Sequence, residues 1–368
     1  MSFAVDLTAL AEVPGMLDRL AADARACHDH VVAPYAAMDN GASSAGRDVG
    51  AGLINRLGGN HARIRGEVLG FLSAVRGLAE RQAGSVAEAV AGYSSVDRHT
   101  AELLDRMLPW TPVDPALERA QSLQPQWHQV RLPEPLRPAE RLRPLTDHRA
   151  EIPYAPSWND LLSPTTLARD AVWYLTGLAS RVGLMEGPRD PMDDLVIPFV
   201  GDWAGMQACG EALGHLAEAT RALATNAGWI AIRVEGSWLG NAADACWRRL
   251  HGLDVALGRV PDVLAEMSAA YLAVCGEIRD GEEIAEFVVT ELLDWTATAL
   301  LAAETFGISL MIKGADHLAD LRRLVRTYDK AVGIVDEMAL AVERGDSALT
   351  GLGLLDIDPE LALPTVPG

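Results

Sequence analysis

Aromatic residues make up only 5% of this 368-residue chain, whereas apolar residues make up 49%. Its cores must therefore be built from alanine, leucine and valine, which favours helices over a β-sandwich. Basic charge is short as well: 31 Lys and Arg stand against 51 Asp and Glu, a formal charge of −20. Without a basic face a protein cannot release counterions from a phosphate backbone, so the balance argues against a nucleic-acid partner and against an anionic membrane surface. Cysteine is limited to Cys27, Cys209, Cys246 and Cys275. They lack the close pairing of a zinc site or a Cys-x-x-Cys redox motif. The opening Met-Ser-Phe-Ala-Val-Asp-Leu-Thr has neither the basic start nor the apolar run and cleavage site of a secretory signal peptide. Uninterrupted membrane-length apolar runs are missing too. The most apolar stretch, residues 284–312, is broken by Glu286, Glu291, Asp294 and Glu304 and reads as a packed helix, not a membrane span.

What the chain does have is heptad-like apolar spacing. Met206, Cys209, Leu213, Leu216, Leu223, Ala227, Ile230 and Val234 recur at steps of three and four, with Thr220 the polar exception. A second seam follows in Cys246, Leu250, Leu253, Leu257, Val260, Leu264, Met267, Tyr271 and Val274, with Pro261 inside it as an expected kink. Between the seams lie Gly236, Trp238, Gly240 and Asn241, turn and cap chemistry that reverses the chain. The reading is a helical hairpin with Trp238-Leu239-Gly240 at its tip. Trp203-Ala204-Gly205 repeats the Trp-x-Gly spacing but precedes a helix start, with Asp202 placed to cap it, and is taken as coincidental.

The first hundred residues repeat the plan. Leu10, Val13, Leu17, Leu20, Ala24, Cys27 and Val31 form one seam; Ile54, Leu57, Ile64, Val68, Phe71, Val75 and Leu78 form another, with His61 between Leu57 and Ile64. The turn is expected at Asp39-Asn40-Gly41-Ala42-Ser43-Ser44. The second helix is expected to continue past a stutter near Gly84 through Val86, Val90 and Tyr93. Ten of the twenty prolines then fall between residues 109 and 156, a linker of polyproline character that could reach over roughly 100 Å yet need not be loose if its tryptophans pack.

These patterns give an all-α protein with two antiparallel helical-hairpin modules, paired as in a four-helix bundle and joined by a proline-rich linker, with extra C-terminal helices. The boundaries are 1–108 for the first hairpin, 109–163 for the linker, 164–345 for the second module with its additional helices, and 346–368 for a flexible tail.

Catalytic signals are poor. Cys27-His28-Asp29-His30 is the one histidine cluster, but residues two apart face different sides of a helix, so it reads as a solvated helix end. Glu282 and Glu283 are adjacent and face differently. There is no glycine-rich phosphate loop and no Gly-x-Ser-x-Gly. No catalytic residue, cofactor or metal is assigned, and the chain reads as a non-enzyme.

Residues 200–280, with Gly-Ser-Trp-Leu-Gly-Asn-Ala-Ala-Asp-Ala at the turn, resemble the WXG helical hairpins exported by the type VII (ESX) secretion machinery of actinobacteria. Residues 1–108 resemble the shorter secretion-associated hairpins that lack the Trp-x-Gly turn. The resemblance implies a Tyr-x-x-x-Asp/Glu export signal after the second helix, and Tyr93-Ser94-Ser95-Val96-Asp97 stands there. Tyr93 and Asp97, four apart, would share one helical face. Tyr271 is followed by Cys275 and departs from the pattern. The resemblance further implies recognition by the type VII motor ATPase. It also implies either a small WXG-family helical partner or pairing of the two modules within one chain, which would bring Trp238 and Gly240 to Tyr93 and Asp97. Export without a signal peptide, to the medium or cell surface, and a part in toxin delivery follow from the same likeness. Two other readings stay open: a cytoplasmic chaperone or adaptor for a secreted partner, and an effector whose segment 284–312 enters membranes at low pH.

Overall fold

The computed structural model describes residues 3–44, 52–96, 98–107, 132–148, 201–306 and 314–352, with shorter pieces between 173 and 198. Within the helices, side chains are described except at 38–44, 98, 282–306, 314–318 and 320–321. Strand β1 (Ala4–Val5) leads into a short α1 (Leu7–Leu10) and then α2 (Val13–Ser44) and α3 (Ile54–Ser95). Helix α4 (Arg98–Met107) precedes the linker, whose described part includes a 3-10 turn at Pro138–Arg141. Helix α5 (Trp203–Ser237), strand β2 (Trp238–Leu239), the 66-residue α6 (Asn241–Phe306) and α7 (Gly314–Gly351) complete the described chain. Among the described residues the fold is all-α apart from the two-residue pairing of β1 with β2.

The apolar spacing accounts for this architecture. Every seam residue of α5 and of the facing part of α6 is buried, from Leu213, Leu223 and Val234 to Leu253 and Leu257, each at 0% exposure. Thr220, the polar member, sends its hydroxyl back to the Leu216 carbonyl at 2.8 Å and so needs no partner from outside its helix. Asp202 caps α5 by accepting from the Gly205 N–H at 2.8 Å. Close approach of the two helices is set by Gly210, where a Cβ would stand 2.9 Å from that of Tyr271.

Both hairpins contribute to one continuous core. Along α3 and α6, contacts run from His61 with Tyr271, through Gln82 with Cys246, to Tyr93 with Trp238. As α3 advances, α6 retreats, so the two lie antiparallel. The pair α2 and α5 is antiparallel too, with Asp6 at Ser237, Glu12 at Arg233 and His30 at His215. The tip of the second hairpin therefore meets the open end of the first. At the opposite end, the Leu53 N–H donates to the Pro198 carbonyl at 3.0 Å.

Five expectations need correction. Residues 39–44 are helical, not a turn: α2 continues to Ser44. Asn, Gly and Ser each cost a helix at most about 1 kcal/mol, and extending a helix already nucleated is easy. The tail does not begin at 346, because α7 runs to Gly351. Its last turn is held by α3, where Arg63 donates to the Leu349 carbonyl at 2.7 Å and Asn60 to that of Asp346 at 3.1 Å. A cation on the final carbonyls also suits the helix dipole. The final helix, which the apolar pattern places around Asp316–Arg344, is thus the longer α7, which packs on both α6 and α3; Met338 fills the space over Gly281. The histidine cluster is no helix end, since α2 continues past it. His30 instead packs against His215, with ring nitrogens 3.4 Å apart. The fifth correction, at Tyr93, belongs to the site below. Residues 353–368 lie outside the described chain.

The linker, where described, is a strap. Asn226 of α5 accepts from the Leu136 N–H and donates to the Leu136 carbonyl, both at 2.9 Å. Arg143 pairs with Glu218 at 2.9 Å, and Glu211 takes the Thr146 N–H at 3.2 Å and His148 at 2.5 Å. The strap thus runs antiparallel to α5, an extended segment whose backbone polar groups are met by side chains. Among the described residues, no helix is long and apolar enough to cross a membrane.

Candidate functional site at the hairpin tip

Four segments converge on Trp238. Helix α5 ends at Ser237, whose hydroxyl bonds back to the Arg233 carbonyl at 2.7 Å. The chain then extends through Trp238, with φ −145° and ψ 129°, and reverses at Gly240, whose φ is +139°. Glycine is required there on two counts. L side chains rarely adopt that φ, and a Cβ would lie 2.6 Å from a carboxylate oxygen of Asp105.

Asp105 comes from α4. Its two carboxylate oxygens accept from the backbone N–H groups of Asn241 and Ala242 at 2.9 and 3.0 Å, and the Asn241 side chain donates to the Asp105 carbonyl at 3.2 Å. An anion on the first N–H groups of a helix satisfies donors that have no intrahelical acceptor and opposes the positive end of the dipole. Helix α6 is thus capped from a different part of the chain. Nothing in the local sequence around Asp105 announces this role; a signal would have required knowing that α4 folds back over the tip.

The indole of Trp238 is 4% exposed. Tyr93 meets it edge to face with centroids 5.7 Å apart, and Phe3 also packs against Tyr93 at 5.4 Å, again edge to face. These separations and tilts are the favourable ones for aromatic pairs. Burial first, and the Asp105 carboxylate second, push the Tyr93 phenol up to about 12. The phenol is therefore neutral at physiological pH and half-buried. Trp238 is thus a buried anchor in contact with the half-buried tyrosine. Phe3 was not singled out from the sequence, since a lone phenylalanine before a helix carries no periodic signal.

The helix that carries Tyr93 ends before Asp97. Helix α3 ends at Ser95, and Val96 is extended at φ −122° and ψ 157°. The Ser94 and Ser95 hydroxyls bond back to the carbonyls of Val90 and Gly92 at 2.5 and 2.8 Å, offering the last turn an alternative to continuing. Asp97 itself lies outside the described residues. Beside the tip, α4 turns Ala101 and Asp105 inward, 3% and 5% exposed, and leaves Leu103, Leu104 and Met107 outside at 48%, 52% and 81%. It buries one of its two acids, Asp105, and shows its leucines, the reverse of an ordinary surface helix.

Elsewhere, buried polar groups serve packing. His61 stacks on Tyr35 at 4.6 Å and meets the Tyr271 hydroxyl through Nδ1 at 2.9 Å, which ties the first hairpin to the second. Tyr271, at 2% exposure, is a core residue. The four cysteines are buried, and burial pushes the thiols of Cys27, Cys246 and Cys275 up to about 12, far from the thiolate that nucleophilic or redox chemistry needs. Among the described residues, no three His, Cys, Asp or Glu side chains converge as metal ligands. The side chains of Glu282 and Glu283 lie outside those described. No family model, no curated protein and no solved structure matches the chain.

Proposed function

We propose that the protein is a non-enzymatic type VII secretion substrate or secretion-associated delivery module, and that the end of the bundle carrying Tyr93 is what the motor ATPase reads. The observation that supports this reading most is the contact of Tyr93 with Trp238 at 5.7 Å. It joins, within one chain, the tyrosine of a Tyr-x-x-x-Asp sequence to the tryptophan of a Trp-x-Gly tip. Recognition here is a matter of packing and presentation. The bundle fixes the position of the phenol against Trp238, and Ser94 and Ser95 at the end of α3 and Leu103 and Leu104 on α4 are exposed.

Intramolecular pairing bears on the partner as well. The seams of both hairpins contribute to one core, which supports pairing within the chain over a separate small WXG-family partner. The same exposed leucines on α4 suit the second reading, a cytoplasmic adaptor holding a secreted partner.

Export of the tagged protein from its native host tests the choice. Wild type recovered in the medium, lost on Tyr93→Ala and lost in a strain without the motor ATPase, is the result expected. Retention of wild type in the cytosol with the machinery intact overturns the reading in favour of the adaptor.

A further inference from the structure

The segment Phe3–Asp6 is attached to the tip in an unusual way. Its ladder with β2 pairs Ala4 with Leu239 and Val5 with Trp238, and the Asp6 N–H adds one bond to the Ser237 carbonyl at 2.7 Å. Two paired strands of two residues hold themselves only weakly, because so short a ladder offsets little of the entropy lost in ordering them. What seats the segment is Phe3, 6% exposed, whose ring closes over Tyr93.

The attachment changes character at Asp6. From there on the chain is firmly held: the Asp6 carboxylate caps α1 through the N–H groups of Thr8 and Ala9, Leu10 and Val13 are fully buried, and Glu12 pairs with Arg233 at 3.3 Å. Residues 3–5 can therefore lift away while α1 and the bundle stay in place. Lifting them removes one of the two rings that enclose Tyr93 and leaves the other, Trp238, beneath it.

We infer that Phe3–Val5 is a releasable latch over Tyr93, closed on the hairpin tip in the structure, and that its opening presents the phenol to the export machinery. The second part rests on the export reading above; the first is a property of the fold alone. In the closed state the segment supplies a strand and an aromatic ring to the tip in cis. It thereby occupies the β2 edge and the face of Tyr93 that an extended peptide of a receptor would need.

The test uses the full-length protein in three forms: wild type, Phe3→Ala, and the double variant Ala4→Cys with Leu239→Cys, whose new thiols face each other across the ladder. The native cysteines are buried and do not compete. Tyrosine-selective labelling at Tyr93, read by mass spectrometry, reports the latch itself. Phe3→Ala should raise the labelling rate about fivefold, the factor expected for loss of one aromatic contact. The oxidised double variant should fall below wild type and recover on reduction. Equal rates in all forms overturn the latch. Binding to the purified motor ATPase of the host reports the gating: weaker binding by the oxidised than by the reduced double variant is expected, and equal binding overturns it. Unchanged export of Tyr93→Ala overturns the export reading and the gating together, while the labelling rates still decide the latch.

Discussion

Asp105 and Asn241, 136 positions apart, close the amino end of α6 between them: the carboxylate of the first accepts from the backbone N–H of the second at 2.9 Å. The neighbouring Ala242 N–H takes the other oxygen. A helix of 66 residues thus depends for its start on a short helix from the first hairpin.

Asp105→Ala should lower stability by about 1–2 kcal/mol, the usual value of an N-cap. Asp105→Asn should lose less, keeping an acceptor but not the charge that opposes the dipole. Urea unfolding followed by circular dichroism measures both, and an Ala variant with the wild-type midpoint would show the cap to be idle.

Tyr93 makes stability fall in alkali. Its folded pKa is raised from 10 to about 12 by burial and by Asp105. The contribution is complete below the unfolded value near 10 and is lost as pH rises from there through about 12. Tyr35 and Tyr271 are shifted the same way, chiefly by burial. Unfolding free energy measured in urea between pH 9 and 12 should decline, and Tyr93→Phe should decline less steeply. A parallel decline in the two proteins would remove Tyr93 from the cause.

Trp238→Ala should cost about 3–5 kcal/mol, because a buried indole leaves a cavity under Tyr93 that the surrounding helices cannot close. Trp238→Phe should cost less than half as much and keep the aromatic contact. Export that survives Trp238→Phe but not Tyr93→Ala is the pattern for an anchor beneath a recognised tyrosine, with thermal unfolding as the control.

Asn226→Ala should free the strap without unfolding the bundle. It removes both hydrogen bonds to Leu136, and Asn226 lies on the strap side of α5, away from the facing helices' seam. Trypsin should then cut after Arg141 faster than in wild type, with the circular dichroism melt shifted by no more than about 2 kcal/mol in stability terms. Unchanged cleavage would mean that the contacts of Arg143 with Glu218 and of Thr146 and His148 with Glu211 hold the strap without Asn226.

The seams were readable because helical burial repeats every three to four residues and leaves its mark in a single chain. Leu213, Leu253, Val68 and Leu17 needed no neighbours to be recognised, and their burial follows the pattern. The tip was readable for a related reason: a glycine and an asparagine between two such runs have a local cause. Local chemistry misled where one local cause outweighed another. Asp39 to Ser44 carry turn residues, yet the helix runs through them. Tyr93 and Asp97 have helical spacing, yet the helix stops between them at Ser95. In the first case an established helix outweighed weak propensities; in the second, serine hydroxyls turned back on the last turn.

By itself, then, the sequence determined an all-helical chain, the faces that its long helices bury, and the place where the second hairpin reverses, because each follows from periodicity and backbone chemistry within a few residues. Tertiary structure decided the rest. Phe3 closes over Tyr93, Trp238 lies beneath it, Asp105 caps a helix 136 positions away, and Asn226 holds the linker. Each of these is a contact between segments far apart in the chain, where single side chains meet once and leave no repeat to read.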